Sequence, residues 1–146
     1  MTDAPIMLVE DNPDDVTLTL RAFVKNGVRN EIVVVSDGEA CLARLHPRDG
    51  SEPVRPAVIL MDIHLPKIDG LEVLRLIRAS DRTRCVPVIM LTTSKEARDV
   101  IDSYRLGANS FVRKPVAYNE FVQTIRMLST YWLEVNEPVP AIEGTP

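Results

Sequence analysis

The sequence predicts a doubly wound, three-layer α/β fold, and three observations carry that prediction. Five short apolar runs, each continuous rather than alternating, recur along the 146 residues. Continuous apolar character suits a parallel strand covered by helices on both faces. Between the runs lie segments with apolar residues at helical spacing. Several runs stop on acids, a hydroxyl or a lysine, which places polar chemistry along one edge of the sheet.

Taken in order, Ile6 to Val9 is the first run and ends in Glu10-Asp11-Asn12-Pro13. Asp14 and Asp15 follow where acids favour a helix N-terminus. Val16, Leu20, Phe23 and Val24 give that helix its apolar face, and Gly27 is placed to end it. Ile32 to Val35 is the second strand, and Ser36-Asp37-Gly38 turns it into a helix bearing Ala40, Leu42, Ala43 and Leu45. His46 to Pro56, with three prolines and a glycine, reads as a long loop. The third strand, Ala57 to Met61, stops on Asp62, and Leu71, Val73, Leu74 and Ile77 mark the helix beyond it. Val86 to Leu91 is the fourth strand, with Pro87 limiting how early it joins the ladder. Thr93 and Glu96 have capping-box spacing, and Ala97, Val100, Ile101 and Tyr104 stripe the next helix, which Gly107 closes. Ser110 to Val112 is a short fifth strand leading to Lys114-Pro115. Tyr118, Phe121, Val122, Ile125, Leu128 and Trp132 form the strongest helical stripe. The expected domain is 1–135, with a flexible tail over 136–146.

Composition narrows the function classes. The length suits one domain with its own core. A net charge of −4 argues against a nucleic-acid or membrane-surface partner, either of which calls for a basic face. No apolar run approaches the roughly 18 residues of a membrane span. Met1-Thr2-Asp3-Ala4-Pro5 carries no basic region and no signal-type core, so a cytoplasmic location is expected. Cys41 and Cys85 form neither a metal motif nor a disulfide framework and read as small hydrophobes.

Right-handed crossovers put helices on both faces of a five-stranded sheet, and the flavodoxin-like order 2-1-3-4-5 is the natural arrangement. Ligands of such sheets bind beyond the carboxyl ends of strands 1 and 3, where Glu10, Asp11 and Asp62 stand. Three converging acids repel one another, and a divalent cation resolves the conflict; hard oxygen ligands favour Mg²⁺. Asp62 can then give one oxygen to the metal and attack phosphorus with the other. The transferring phosphoryl group needs cationic and hydroxyl partners, and Lys114 and Thr92 end the fifth and fourth strands. Singly, each of these residues has a plainer reading as a cap, a surface acid or a solvated lysine. Their joint placement at four strand ends is the signal.

With those residues in hand, the chain closely resembles the receiver domains of two-component response regulators, from about Ile6 to Trp132. The matching pieces are Leu8-Val9-Glu10-Asp11-Asn12, Met61-Asp62-Ile63-His64-Leu65-Pro66 with Asp69-Gly70, Leu91-Thr92-Thr93-Ser94, Gly107-Ala108-Asn109 and Lys114-Pro115. The resemblance implies that Asp62 accepts a phosphoryl group from a histidine kinase. It implies that Glu10, Asp11, Asp62 and the backbone carbonyl of His64 hold Mg²⁺, directly or through water, and that Thr92 and Lys114 contact the phosphoryl oxygens. The His64 imidazole is then an exposed side chain over the site, and His46 a helix-end residue. Phe111 stands where the family places its switch aromatic, without the hydroxyl that a Tyr brings. Asn12-Pro13-Asp14-Asp15, the long loop before the third strand, Gly107 to Val112 and Tyr131-Trp132-Leu133 also resemble the single-domain regulators paired with bacterial phytochromes.

Too few residues follow Trp132 for an effector, so output is expected through an exposed surface. Thr92 moving toward the phosphoryl group would free space for Phe111 to turn inward, a two-state element biased by local charge. Tyr131, Trp132 and Leu133 are three large residues in a row, which one helix face does not bury. A homodimer through helix 4, strand 5 and helix 5 is therefore expected, with Phe111, Tyr131, Trp132 and Leu133 in its interface. The expected activity is that of a phosphoacceptor switch catalysing only its own phosphorylation and dephosphorylation. One competing reading is a Mg²⁺-dependent phosphohydrolase with an Asp nucleophile, which would want a second acid where His64 stands. Another is a receiver-like interaction module that works without phosphate.

Overall fold

The computed structural model describes residues 1–140. Five parallel strands, β1 (Ile6–Val9), β2 (Ile32–Val35), β3 (Val58–Met61), β4 (Val88–Thr92) and β5 (Ser110–Arg113), form one sheet in the order β2-β1-β3-β4-β5. The helices are α1 (Pro13–Lys25), α2 (Gly38–Leu45), α3 (Gly70–Ala79), α4 (Ala97–Arg105) and α5 (Tyr118–Thr130). The expected doubly wound arrangement and strand order are what the chain adopts.

Period-two alternation along the strands builds two cores, one on each face of the sheet. Met7, Val9, Ile59, Met61, Val88 and Met90 pack with Cys41 and Leu45 of α2 and Val73, Leu74 and Ile77 of α3. Ile6, Leu8, Val58, Leu60, Ile89 and Leu91 pack with Ala22 and Phe23 of α1, and with Phe121 and Ile125 of α5. Because both faces are covered, β1, β3 and β4 are buried along their whole length, which is why they read as unbroken apolar runs.

Register sets the site. Val9 pairs with both Val35 and Met61, so Glu10 and Asp62 emerge side by side; the Asp62 N–H donates to Val9 O at 3.1 Å. Thr92 pairs with Arg113, and the Lys114 N–H donates to Thr92 O at 2.8 Å. Side-chain caps fix where three helices begin. Asn12 Oδ1 accepts the N–H of Asp14 at 2.9 Å, Asp37 Oδ1 that of Ala40 at 2.7 Å, and Asp69 Oδ1 that of Glu72 at 3.0 Å. Gly70 lets α3 start against the end of β3, because a Cβ there would drive into the Asp62 carbonyl oxygen and lie 2.9 Å from Ile63 Cα.

Several local expectations give way. β3 begins at Val58 rather than Ala57, whose N–H goes to Pro5 O at 2.8 Å. β4 runs Val88–Thr92 rather than Val86–Leu91, since Pro87 has no N–H to give the ladder. The Thr93–Glu96 capping box does not form. Glu96 itself is the N-cap of α4, with no side-chain cap bond, and Ser94 Oγ instead donates to Asp99 Oδ2 at 2.5 Å. The α4 stripe does not face the core either: Ile101 is 45% and Tyr104 53% exposed.

After α5 the chain widens into a π-helical turn, Tyr131–Val135. That turn separates the three large residues. Leu133 is 4% exposed and packs into the α1/α5 core, Trp132 is half-buried against the same core, and Tyr131 remains exposed. Leu133 is thus a core residue, and its expected place in a dimer interface is corrected. Residues 136–140 carry no helix or strand, and the rest of the expected tail, 141–146, lies outside the described residues.

Candidate functional site

Three carboxylates meet at the carboxyl edge of the sheet. Glu10 is buried just past β1, Asp11 is exposed beside it, and Asp62 is half-buried just past β3. One oxygen from each lies within 4.8 Å of the others, the one such group among the described residues. Hard, closely spaced carboxylate oxygens suit Mg²⁺, which keeps part of its water shell and needs few protein ligands.

Lys114, just past β5, completes the arrangement. Its side chain is 9% exposed, and its Nζ donates to Glu10 Oε1. The same ammonium lies 3.4 Å from Asp15 Oδ2 and 3.9 Å from Asp62 Oδ2. Burial alone would lower the Lys114 pKa. The hydrogen bond and charge of Glu10, then the charges of Asp62 and Asp15, outweigh it and hold the amine above its ordinary value. Burial pushes the Glu10 carboxyl up despite the Lys114 contact, and the neighbouring Asp62 charge adds to the rise. Glu10 Oε2 also accepts the Asn12 N–H at 3.2 Å.

The two oxygens of Asp62 differ. Oδ1 accepts the N–H of Ile63 at 2.8 Å, whereas Oδ2 is the one turned toward Lys114. Thr92 ends β4 and is fully buried, with its Oγ accepting the Ser94 N–H at 3.2 Å. His64 is exposed on the β3–α3 loop. Phe111 is half-buried in β5, packed against the α2/α3 core, and its N–H donates to the Tyr104 hydroxyl at 3.2 Å. Tyr131 and Trp132 stand edge to face, ring centres 4.9 Å apart, beyond α5. The fold therefore gathers Glu10, Asp11, Asp62 and Lys114 at one edge, with Thr92 on the next strand end. The aromatic residues lie elsewhere.

Residues 6–126 match the response regulator receiver domain. This chain belongs to that family. A curated relative, named "Probable methanogenesis regulatory protein FilR2" from Methanothrix harundinacea, is 39% identical over 137 residues, covering 93% of this chain and 88% of its own. The solved bacteriophytochrome response regulator AtBRR is 48% identical, with TM-score 0.68 over 92% of this chain and 98% of that one. The Mn²⁺-bound form of response regulator Rcp1 is 33% identical, with TM-score 0.85 over 94% of this chain and 99% of that one. Receiver domains take a phosphoryl group on an aspartate with Mg²⁺, and the family implies a histidine kinase as donor. This receiver is homologous to phytochrome response regulators. Among the described residues, no helix is long and apolar enough to cross a membrane.

Sequence reading missed three features of this receiver. Asp15 reads as a helix-start acid, yet its carboxylate reaches Lys114. The signal was there: it stands in the first turn of α1, the helix into which the Glu10 strand end leads. Tyr104 reads as a core residue of α4 but bonds the backbone of Phe111. Arg78 stands in the last turn of α3, where a basic residue suits the helix end. Its guanidinium donates to the carbonyls of Gly107, Arg84 and Val86 at 2.7–3.0 Å and to Asn109 Oδ1 at 2.9 Å.

Proposed function

We propose that Asp62 is the phosphoacceptor of this receiver. The observation that carries the reading is the inequality of its oxygens, one tied to the Ile63 N–H and the other facing Lys114. Oδ2 attacks phosphorus while the bond from phosphorus to the donor breaks, an imidazole nitrogen in a kinase or an acetate oxygen in acetyl phosphate. The leaving group keeps the electron pair, and the phosphoryl group ends on Asp62 as a mixed anhydride. Glu10, Asp11, Asp62 and the carbonyl of His64 are the residues that would hold Mg²⁺, which neutralises charge on the transferring group when bound. Lys114 and the Thr92 hydroxyl are placed to meet phosphoryl oxygens. The domain catalyses no turnover beyond its own labelling and hydrolysis.

The donor is a cytoplasmic histidine kinase, and the similarity to AtBRR supports a bacteriophytochrome in that role. Output runs through Thr92 and Phe111 to the α4-β5-α5 face. That face forms a homodimer in which Phe111, Tyr131 and Trp132 take part, and the exposure of Ile101 and Tyr104 on α4 supports it. The receiver domain runs over residues 1–135, and the net charge of −4 speaks against a nucleic-acid partner.

The test is intact-mass analysis after acetyl phosphate and Mg²⁺. Wild type gains one phosphoryl group and stops, and Asp62→Asn gains none. A labelled mutant shows the nucleophile to be another residue. Continued turnover of phosphate esters by the wild type would make the protein a phosphohydrolase instead.

A further inference from the structure

Asp15 is an acid of this edge that the proposed reaction leaves unused. It stands outside the group of three acids whose oxygens converge for a metal. At the third position of α1, an acid ordinarily turns back to the free N–H groups of its own helix. Here Oδ2 lies 3.4 Å from Lys114 Nζ, 99 residues away in sequence. The backbone beneath it is pinned on both sides. The Asp15 N–H donates to Asn12 Oδ1 at 3.3 Å, and Thr19 Oγ donates to Asp15 O at 2.7 Å. The Asp15 side chain is 35% exposed, against 9% for Lys114, so it forms the outer wall of the lysine's socket.

One ammonium is therefore shared by Glu10, Asp15 and Asp62. An arriving phosphoryl group is a fourth claimant, and Lys114 can turn to it only by loosening a contact it already has. Glu10 has the metal as an alternative partner and Asp62 the phosphorus. Asp15 has neither, so its hold on Lys114 works against the transfer.

We propose that Asp15 is a positioning residue that draws the Lys114 ammonium toward α1 and thereby slows the labelling of Asp62. The inference rests on Asp62 being the phosphoacceptor. The differential hold of one part-exposed ion pair sets the size of the effect.

The experiment compares wild type, Asp15→Asn, Asp15→Glu and Asp14→Asn by intact-mass time courses with acetyl phosphate, saturating Mg²⁺ and high salt. High salt screens the exposed charges that repel an anionic donor in general. Asp14 is the control, an exposed acid next door with no contact to Lys114. Asp15→Asn labels about fivefold faster than wild type, the scale of one half-exposed pair. Asp14→Asn stays within about twofold, and Asp15→Glu returns toward wild type. In metal-free protein, the Lys114 Nζ resonance moves in Asp15→Asn and not in Asp14→Asn. A labelled wild type with Asp15→Asn no faster than Asp14→Asn, or an unmoved Nζ resonance, overturns the role of Asp15 alone. A wild type that takes no label removes the reading of Asp62, and this inference with it.

Discussion

Arg78 shows how much structure one side chain organises away from the acids. Its planar fork closes α3 against the start of β4 and the turn before β5, and Asn109 Oδ1 also accepts the Val88 N–H at 2.9 Å. Gly107, at φ +100°, follows α4 where its carbonyl takes the Arg78 Nε–H at 2.8 Å. A Cβ there would crowd the Arg78 side chain at 3.1 Å. Lysine keeps the charge but has no fork, so several carbonyls would lose their donor. Arg78→Lys is expected to cost about 2 kcal/mol in urea unfolding, the scale of losing several charge-assisted bonds, one of them part-buried. A loss under about 0.5 kcal/mol would mean that water replaces the fork.

Helix starts are where sequence and structure agree most closely, and one of them titrates. Asp37 caps α2, and the Ala40 N–H holds its carboxyl below the ordinary carboxylate range, with the Lys67 charge also lowering it. A depressed folded pKa stabilises the protein above the unfolded carboxylate's pKa of about 3.9, and that contribution disappears as pH falls through the lower folded value. Asp37→Asn keeps an acceptor without the charge. Wild type should exceed it in stability at pH 6, and in urea titrations the gap should narrow as pH falls below the unfolded carboxylate's value of about 3.9. An unchanged gap would show that the charge contributes nothing. The turns that hold Asn12 and Asp37 were legible, though not the caps, which a short polar side chain at such a turn is suited to make. The start of α4 was not. Thr93 and Glu96 have capping-box spacing, but the helix begins one residue after Glu96 and uses neither side chain as a cap. The outward turn of Ile101 and Tyr104 was also hidden, because helical periodicity gives a face and not the direction in which it points.

Taken as a whole, the molecule has an edge where acids and a lysine meet and an α4 surface that exposes Ile101 and Tyr104, and β5 joins the two. The strand order and the acid, hydroxyl and lysine ends were readable because parallel topology fixes which ends share an edge. Leu133 was misread because a π-helical turn changes the residue spacing that a straight helix would keep. The proposed homodimer would use this α4 surface. Sedimentation of wild type should give twice the chain mass, and Tyr104→Ala, which removes an exposed ring of α4, should shift it toward the monomer. Equal monomeric masses for both proteins exclude the interface.

Four strand ends are proposed to build one metal-dependent phosphoryl site. Its most direct measurement is the mass gained by wild type from acetyl phosphate, with Mg²⁺ and after chelation of divalent metal. One phosphoryl group per chain is expected with Mg²⁺ and almost none without it. Labelling at the same rate in both would contradict it.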